Sequence, residues 1–126
     1  MKIIDSSFRK KDFLCRCGCG RGKFDIRLFL FLEELRRLGV KFQITSAFRC
    51  LKHNSSTKGA SKTSKHLSGQ AVDIKFDVDD HSLLGQITDL VAVDEWNIHH
   101  INYSWGLHLD TRKQVSQCLD VLPLLD

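Results

Sequence analysis

The stretch Ser64-Lys65-His66-Leu67-Ser68-Gly69-Gln70-Ala71-Val72-Asp73-Ile74 constrains the fold more than any other part of the chain. From residue 70 to 76 the side chains alternate. Val72, Ile74 and Phe76 point one way and Ala71, Asp73 and Lys75 the other, which is the period of a strand with one buried face. Gly69 permits a turn just before it. His66 ends the polar stretch before that turn, so it meets Asp73 only if the loop folds back over the polar face of the strand.

The neighbouring patterns supply the rest of a sheet and its cover. Residues 23 to 38 read as a helix, with Leu28, Phe31, Leu32, Leu35 and Leu38 at three-four spacing and Gly39 as the stop. Arg36 and Arg37 lie in its last turn, where positive charge suits the helix dipole. Residues 41 to 47 alternate as a strand around Phe42 and Ile44. Residues 52 to 65 are polar and aperiodic, and are expected to form a long surface loop of the kind often tied to function. Asp79 and Asp80 cap a helix to about Val91, with Leu83, Leu84, Ile87, Leu90 and Val91 inward. Strands over 96 to 102 and 107 to 111 form a hairpin through Gly106. A short helix is expected over 113 to 122, broken by Pro123. The layout is α+β: one domain over residues 1 to 126, with a small, mostly antiparallel sheet and helices packed on it.

Composition narrows the class. With 126 residues, 42% apolar and 27% charged, the chain can build one core and is not a disordered polymer. No apolar run reaches the roughly 18 residues of a membrane helix, so no membrane partner is expected. The start, Met1 to Lys11, lacks a signal-peptide core. Cytoplasmic synthesis without an export signal is therefore the expectation. An extracellular substrate would be reached by another route, such as release at lysis. The net charge of +4 suits an anionic polymer. Nucleic acid is not expected, because the basic clusters Arg9-Lys10-Lys11 and Arg36-Arg37 lack interleaved stacking aromatics. Five cysteines cannot all pair within one chain. Cys15, Cys17 and Cys19 are compatible with a thiolate zinc site including Cys50, with one disulfide to Cys50, and with free thiols. Cys118 reads as a small core residue.

The chemistry-bearing residues point to a metal. Zinc takes nitrogen and oxygen ligands at about 2.0–2.2 Å, and a catalytic site leaves one position open. His66 and Asp73 supply two ligands. The third candidate is His108 in Gly106-Leu107-His108-Leu109-Asp110-Thr111-Arg112, where Leu107 and Leu109 face the core and His108 and Asp110 face outward together. Taken singly, each has a plainer reading, as a surface histidine or a solvated aspartate.

Taken together, the motifs resemble a known family. Ser64-x-His66-x-x-Gly69-x-Ala71-x-Asp73 is similar to the metal motif of the zinc D-alanyl-D-alanine carboxypeptidases, a family that includes phage endolysins. Ile44-Thr45-Ser46-Ala47-Phe48-Arg49-Cys50 with His53-Asn54, and Gly59-Ala60, resemble the segments before that motif. His108-Leu109-Asp110-Thr111-Arg112 resembles the closing segment, and the start Phe13-x-Cys15-x-Cys17-Gly18-Cys19-Gly20 is like that of many phage and prophage members. Residues 13 to 112 or so are covered.

The resemblance implies the α+β fold shared with Hedgehog signalling domains. It also implies one Zn2+ on His66, Asp73 and His108, and a peptidoglycan stem peptide as substrate. Arg49 would bind the peptide's carboxylate, with Ser46 and Ser64 lining the site. A monomeric phage or prophage lysis enzyme is the leading expectation. Related enzymes often carry an acid or a second His two or three residues before the last ligand; here Gly106 and Trp105 stand there. The general base is therefore open, with His100 and Asp110 as the candidates and Glu95 farther off. That departure also keeps two rivals in view: a noncatalytic, metal-binding cell-wall recognition module and a Hedgehog-like protein-interaction domain.

Overall fold

The computed structural model describes residues 6–112, 118–122 and 124–126. Its elements are β1 (Lys23–Asp25), α1 (Ile26–Arg37), β2 (Gln43–Ser46), α2 (Leu51–Ser56), β3 (Ala71–Lys75), α3 (His81–Val91), β4 (His99–Tyr103), β5 (Gly106–Asp110) and β6 (Cys118–Asp120). Four strands form an antiparallel sheet in the order β2-β3-β5-β4, and β1 pairs with β6 in a separate ribbon. The expected α+β class, with a mostly antiparallel sheet, is what the chain adopts. Among the described residues no helix is long and apolar enough to cross a membrane.

Alternation on the two central strands separates core from chemistry. Val72, Ile74, Leu107 and Leu109 are buried on one face and join the apolar residues of α1 and α3 in a single cluster. Asp73 and His108 stand on the opposite face and are direct cross-strand partners. Phe8, Phe13, Phe24 and Phe29 pack ring against ring beside α1. Arg36 lies over the Phe8 ring at 3.6 Å, so one of the two basic clusters is spent partly on packing.

Several sequence expectations are corrected. The helix expected from residue 23 begins at Ile26. Asp25 caps it, its carboxylate accepting from the Arg27 and Leu28 amides, and so takes an extended backbone with Lys23 and Phe24, which pair with β6. Leu38 falls outside the helix and is exposed, while Phe29 is buried in its place. The loop expected over 52–65 opens with α2, which buries only Asn54 and therefore shows no apolar period. The strand expected from residue 96 begins at His99, because Asn97 has a left-handed backbone (φ 51°) and Trp96 packs edge-on against Phe31. The helix expected over 113–122 lies outside the described residues at 113–117 and at Pro123. Of its described part, residues 118–122, Cys118–Asp120 form strand β6 rather than helix. Residues 1–5, part of the start read for an export signal, also lie outside the described residues.

Candidate metal centre

Each candidate ligand is fixed by its own local structure. Ser64 begins a short 3₁₀ turn, Lys65–Ser68, and its hydroxyl accepts from the His66 amide at 3.2 Å. Gly69 closes that turn with φ 81°, a conformation that suits glycine. It could carry no side chain in any case, since a Cβ there would lie 2.9 Å from the Lys23 carbonyl oxygen. The His66 ring is thereby buried and turned inward. Its Nδ1–H donates to the Ala47 carbonyl at 2.6 Å. A carbonyl can only accept, so the neutral ring presents the lone pair of Nε2 to Asp73 Oδ1 at 3.3 Å.

Two lone pairs facing each other at that distance ask for a cation between them. His108 completes the set, with Nδ1 2.9 Å from the same Asp73 oxygen. The donor atoms of His66, Asp73 and His108 all lie within 4.8 Å of one another. Tetrahedral ligands at about 2.0–2.1 Å stand roughly 3.3 Å apart, so the spacing and the donor types fit zinc. Burial alone would raise the Asp73 pKa. The His108 N–H bond outweighs it, the adjacent His66 imidazole acts in the same direction, and the carboxyl is held well below the usual carboxylate range. Burial likewise opposes a charge on His108, but its bonds to Asp110 and Asp73 prevail and push it up to about 9.

Asp110 sits behind His108, not in front of it. It is fully buried, and its Oδ2 accepts from His108 Nε2 at 2.8 Å. It is also gripped by Arg112 through Nε, NH2 and the backbone amide. Asp110 thus orients His108 and pairs with Arg112 at once, a positioning role. The outward exposure expected for His108 and Asp110 is corrected: both lie on the outer face of the sheet, yet both are buried. Asp110→Asn is expected to lower metal affinity at this centre by about 10–100-fold with the fold retained. A chelator-competition titration beside a circular dichroism spectrum measures this. Unchanged affinity would mean that His108 holds its orientation without Asp110.

The other sequence candidates fall on different sides of the centre. His100 pairs with Leu109 in the β4–β5 register, so it lies on the opposite face of the sheet from His108. The residue across from His108 is Ile101. The hairpin is tighter than expected, with β5 starting at Gly106, and this sets the register one residue away from the one that would have aimed His100 inward. Glu95 is exposed in a turn. Ser46 is the β2 neighbour of Asp73, reached after a bulge between Ile44 and Ser46, and does not line the cleft. Ser64 does line it. Asn54 braces the loop, donating to the Ser61 carbonyl at 2.9 Å.

The cleft over the three ligands has a volume of about 420 Å³. The loop from Gly59 to Lys65 forms one wall and Ile101, Tyr103 and Arg112 another, with Arg49 among the lining residues. Arg49 is buried, its Nε has no hydrogen-bond partner, and among the described residues no carboxylate forms a salt bridge with it. Burial presses its pKa down and the nearby Asp73 charge opposes this. A buried guanidinium with spare donors, facing a cleft, is suited to a carboxylate ligand. Residue pattern could not reveal Ala47, which contributes a backbone carbonyl. Ile101 and Tyr103 carry no signal except their exposure on an edge strand.

Among known families, a family model described as Peptidase M15 matches residues 6–110. No curated protein and no solved structure matches the chain.

Proposed function

The chain belongs to the peptidase M15 family, and on that footing we propose that it hydrolyses peptide bonds in the stem peptides of peptidoglycan, as a phage or prophage lysis enzyme. Membership makes it a metallopeptidase of a zinc-dependent, peptidoglycan-acting family. The observation that carries the finer reading is the convergence in one cleft of His66, Asp73 and His108 with Arg49, whose buried Nε is unpartnered.

In this reading His66 Nε2, Asp73 Oδ1 and His108 Nδ1 hold one zinc. Bound there, zinc supplies Lewis-acid polarisation of a carbonyl and acidifies water. The protein supplies positioning. Ala47 and Asp110 hold the two imidazoles in the tautomers that leave Nε2 of His66 and Nδ1 of His108 free to ligate. Arg49 receives a carboxylate of the stem peptide and sets its register against the metal. The edge strand β4 offers Ile101 and Tyr103 as a wall for the chain of the substrate. The protein works as a monomer, synthesised in the cytoplasm and acting on the wall after release.

The rival reading, a noncatalytic wall-recognition module, draws on the lining of the cleft: among the described residues Asp73 is the one carboxylate that lines it. Gly106, one of the two positions (with Trp105) where related enzymes often carry an acid or a second His, has no room for a side chain, since a Cβ would lie 1.9 Å from the Ile74 carbonyl oxygen. Digestion of purified murein separates the two. Zinc-loaded protein is expected to release new termini, and mass spectrometry of the products identifies the bond cut. Arg49→Lys is expected to cost about tenfold or more in kcat/KM, since an ammonium cannot make the paired bonds of a guanidinium. No release of termini by the zinc-loaded protein would leave the recognition module as the surviving reading.

A further inference from the structure

Away from the cleft, four cysteines from two distant parts of the sequence meet at one point. Cys15, Cys17 and Cys19 lie in the segment before β1, and Cys50 is the N-cap of α2. Cys15 Sγ is 3.3 Å from Cys17 Sγ and 3.8 Å from Cys50 Sγ, and Cys17 and Cys50 are 3.6 Å apart. All four sulfurs lie within 4.8 Å of one another. All four are free thiols, and no pair among these three stands at the roughly 2.05 Å of a disulfide. Zinc–thiolate bonds of about 2.3 Å give a tetrahedron with edges of roughly 3.8 Å, and the observed separations lie close to that figure.

We propose that Cys15, Cys17, Cys19 and Cys50 form a second, structural metal site that holds one zinc ion as a four-thiolate cluster. Hydrophobic burial does not account for the gathering, because Cys17 and Cys19 are exposed. Backbone amides also point at the sulfurs: Cys50 N–H donates to Cys15 Sγ and His53 N–H to Cys50 Sγ, each at 3.4 Å. Such donors stabilise sulfur that carries negative charge. Cys118 lies on β6, outside the cluster, which resolves the odd cysteine count as four plus one.

The position gives the site a purpose. Cys50 directly follows Arg49 and starts α2, whose Asn54 braces the cleft loop. Cys15 follows Leu14, which bridges to Gly22 just before β1. An ion here ties the N-terminal segment to the strand exit that carries Arg49, closing a loop of 35 residues between Cys15 and Cys50. Outside this cluster that tie has only a thin covering, since the buried apolar group around it is Phe48 with the two cysteines themselves.

The proposal does not rest on the peptidase reading, and the two fail separately. Full-length protein, reduced and then loaded with zinc, is expected to hold two zinc ions per chain by elemental analysis. The double variant Cys17→Ser/Cys19→Ser alters only exposed residues, so packing is little disturbed, and it is expected to hold one. Cobalt substitution distinguishes the sites by their donors. A sulfur-to-cobalt charge-transfer band is expected in the wild type and in Asp73→Ala, and is expected to vanish in the double cysteine variant. Zinc is also expected to shield the four clustered thiols from a thiol reagent, leaving Cys118 alone reactive. A cobalt-loaded wild type without a thiolate band, or zinc-loaded protein whose clustered thiols react as fast as they do under a chelator, would overturn the proposal.

Discussion

Asp73→Ala is expected to remove zinc from the histidine-carboxylate centre while leaving the fold intact, and to lower murein turnover by at least about a thousandfold. Asp73 stands between two imidazoles and is the only anionic donor among the three candidate ligands. Without it two neutral nitrogens remain, fewer donors than the three protein ligands usual in catalytic zinc sites. Lewis-acid stabilisation of a transition state is worth several kcal/mol, and each 1.36 kcal/mol is a factor of ten in rate, so loss of the ion alone accounts for the expected drop. The fold is expected to survive because Asp73 lies on the outer face of β3, while the neighbouring Val72 and Ile74 make the core contacts. Elemental analysis measures the outcome, with cobalt spectra to set the thiolate site apart. Unchanged nitrogen-oxygen-bound metal in this variant would take Asp73 out of the ligand set.

Gly106→Ala is expected to be the most damaging single-methyl change to stability, by about 3 kcal/mol or more, with a fall in Tm on the order of 10 °C. Gly106 opens β5 and pairs with Lys75 of β3 on one side and Tyr103 of β4 on the other. A Cβ there would stand 1.9 Å from the Ile74 carbonyl oxygen and 3.0 Å from its carbon. Both are backbone atoms, so no rotamer change relieves the clash. The central pair of strands must part at this end, two residues from His108 on the same strand. Thermal unfolding followed by circular dichroism checks this. A Tm within about 2 °C of the wild type would show that β3 and β5 can separate there at little cost.

Residue chemistry and period carried much of this protein. The alternation around Asp73 and around His108 fixed two strands, their buried faces and the shared face of the two polar residues, because a period of two admits no other assignment once one face is apolar. His66, Gly69 and Asp73 were legible as a group for the same reason: a turn-permitting glycine lies between a histidine and a strand carboxylate. The α+β class followed from the order of the patterns. What the sequence left open depended on partners distant along the chain. Asp25 falls inside the helix expected from residue 23, and only the pairing of Lys23–Asp25 with β6 makes it an extended N-cap instead. His100 and Ile101 compete for the place opposite His108, and only the turn geometry, which starts β5 at Gly106, decides for Ile101, since a one-residue change of register reverses every side chain. The proton on His66 is placed by a backbone carbonyl 19 residues away, and backbone groups leave no mark in residue identity. Asp110 was visible as a carboxylate, but its place behind His108 is set by burial and by Arg112. Local pattern thus determined which side chains share a face, whereas long-range pairing decided which of them meet.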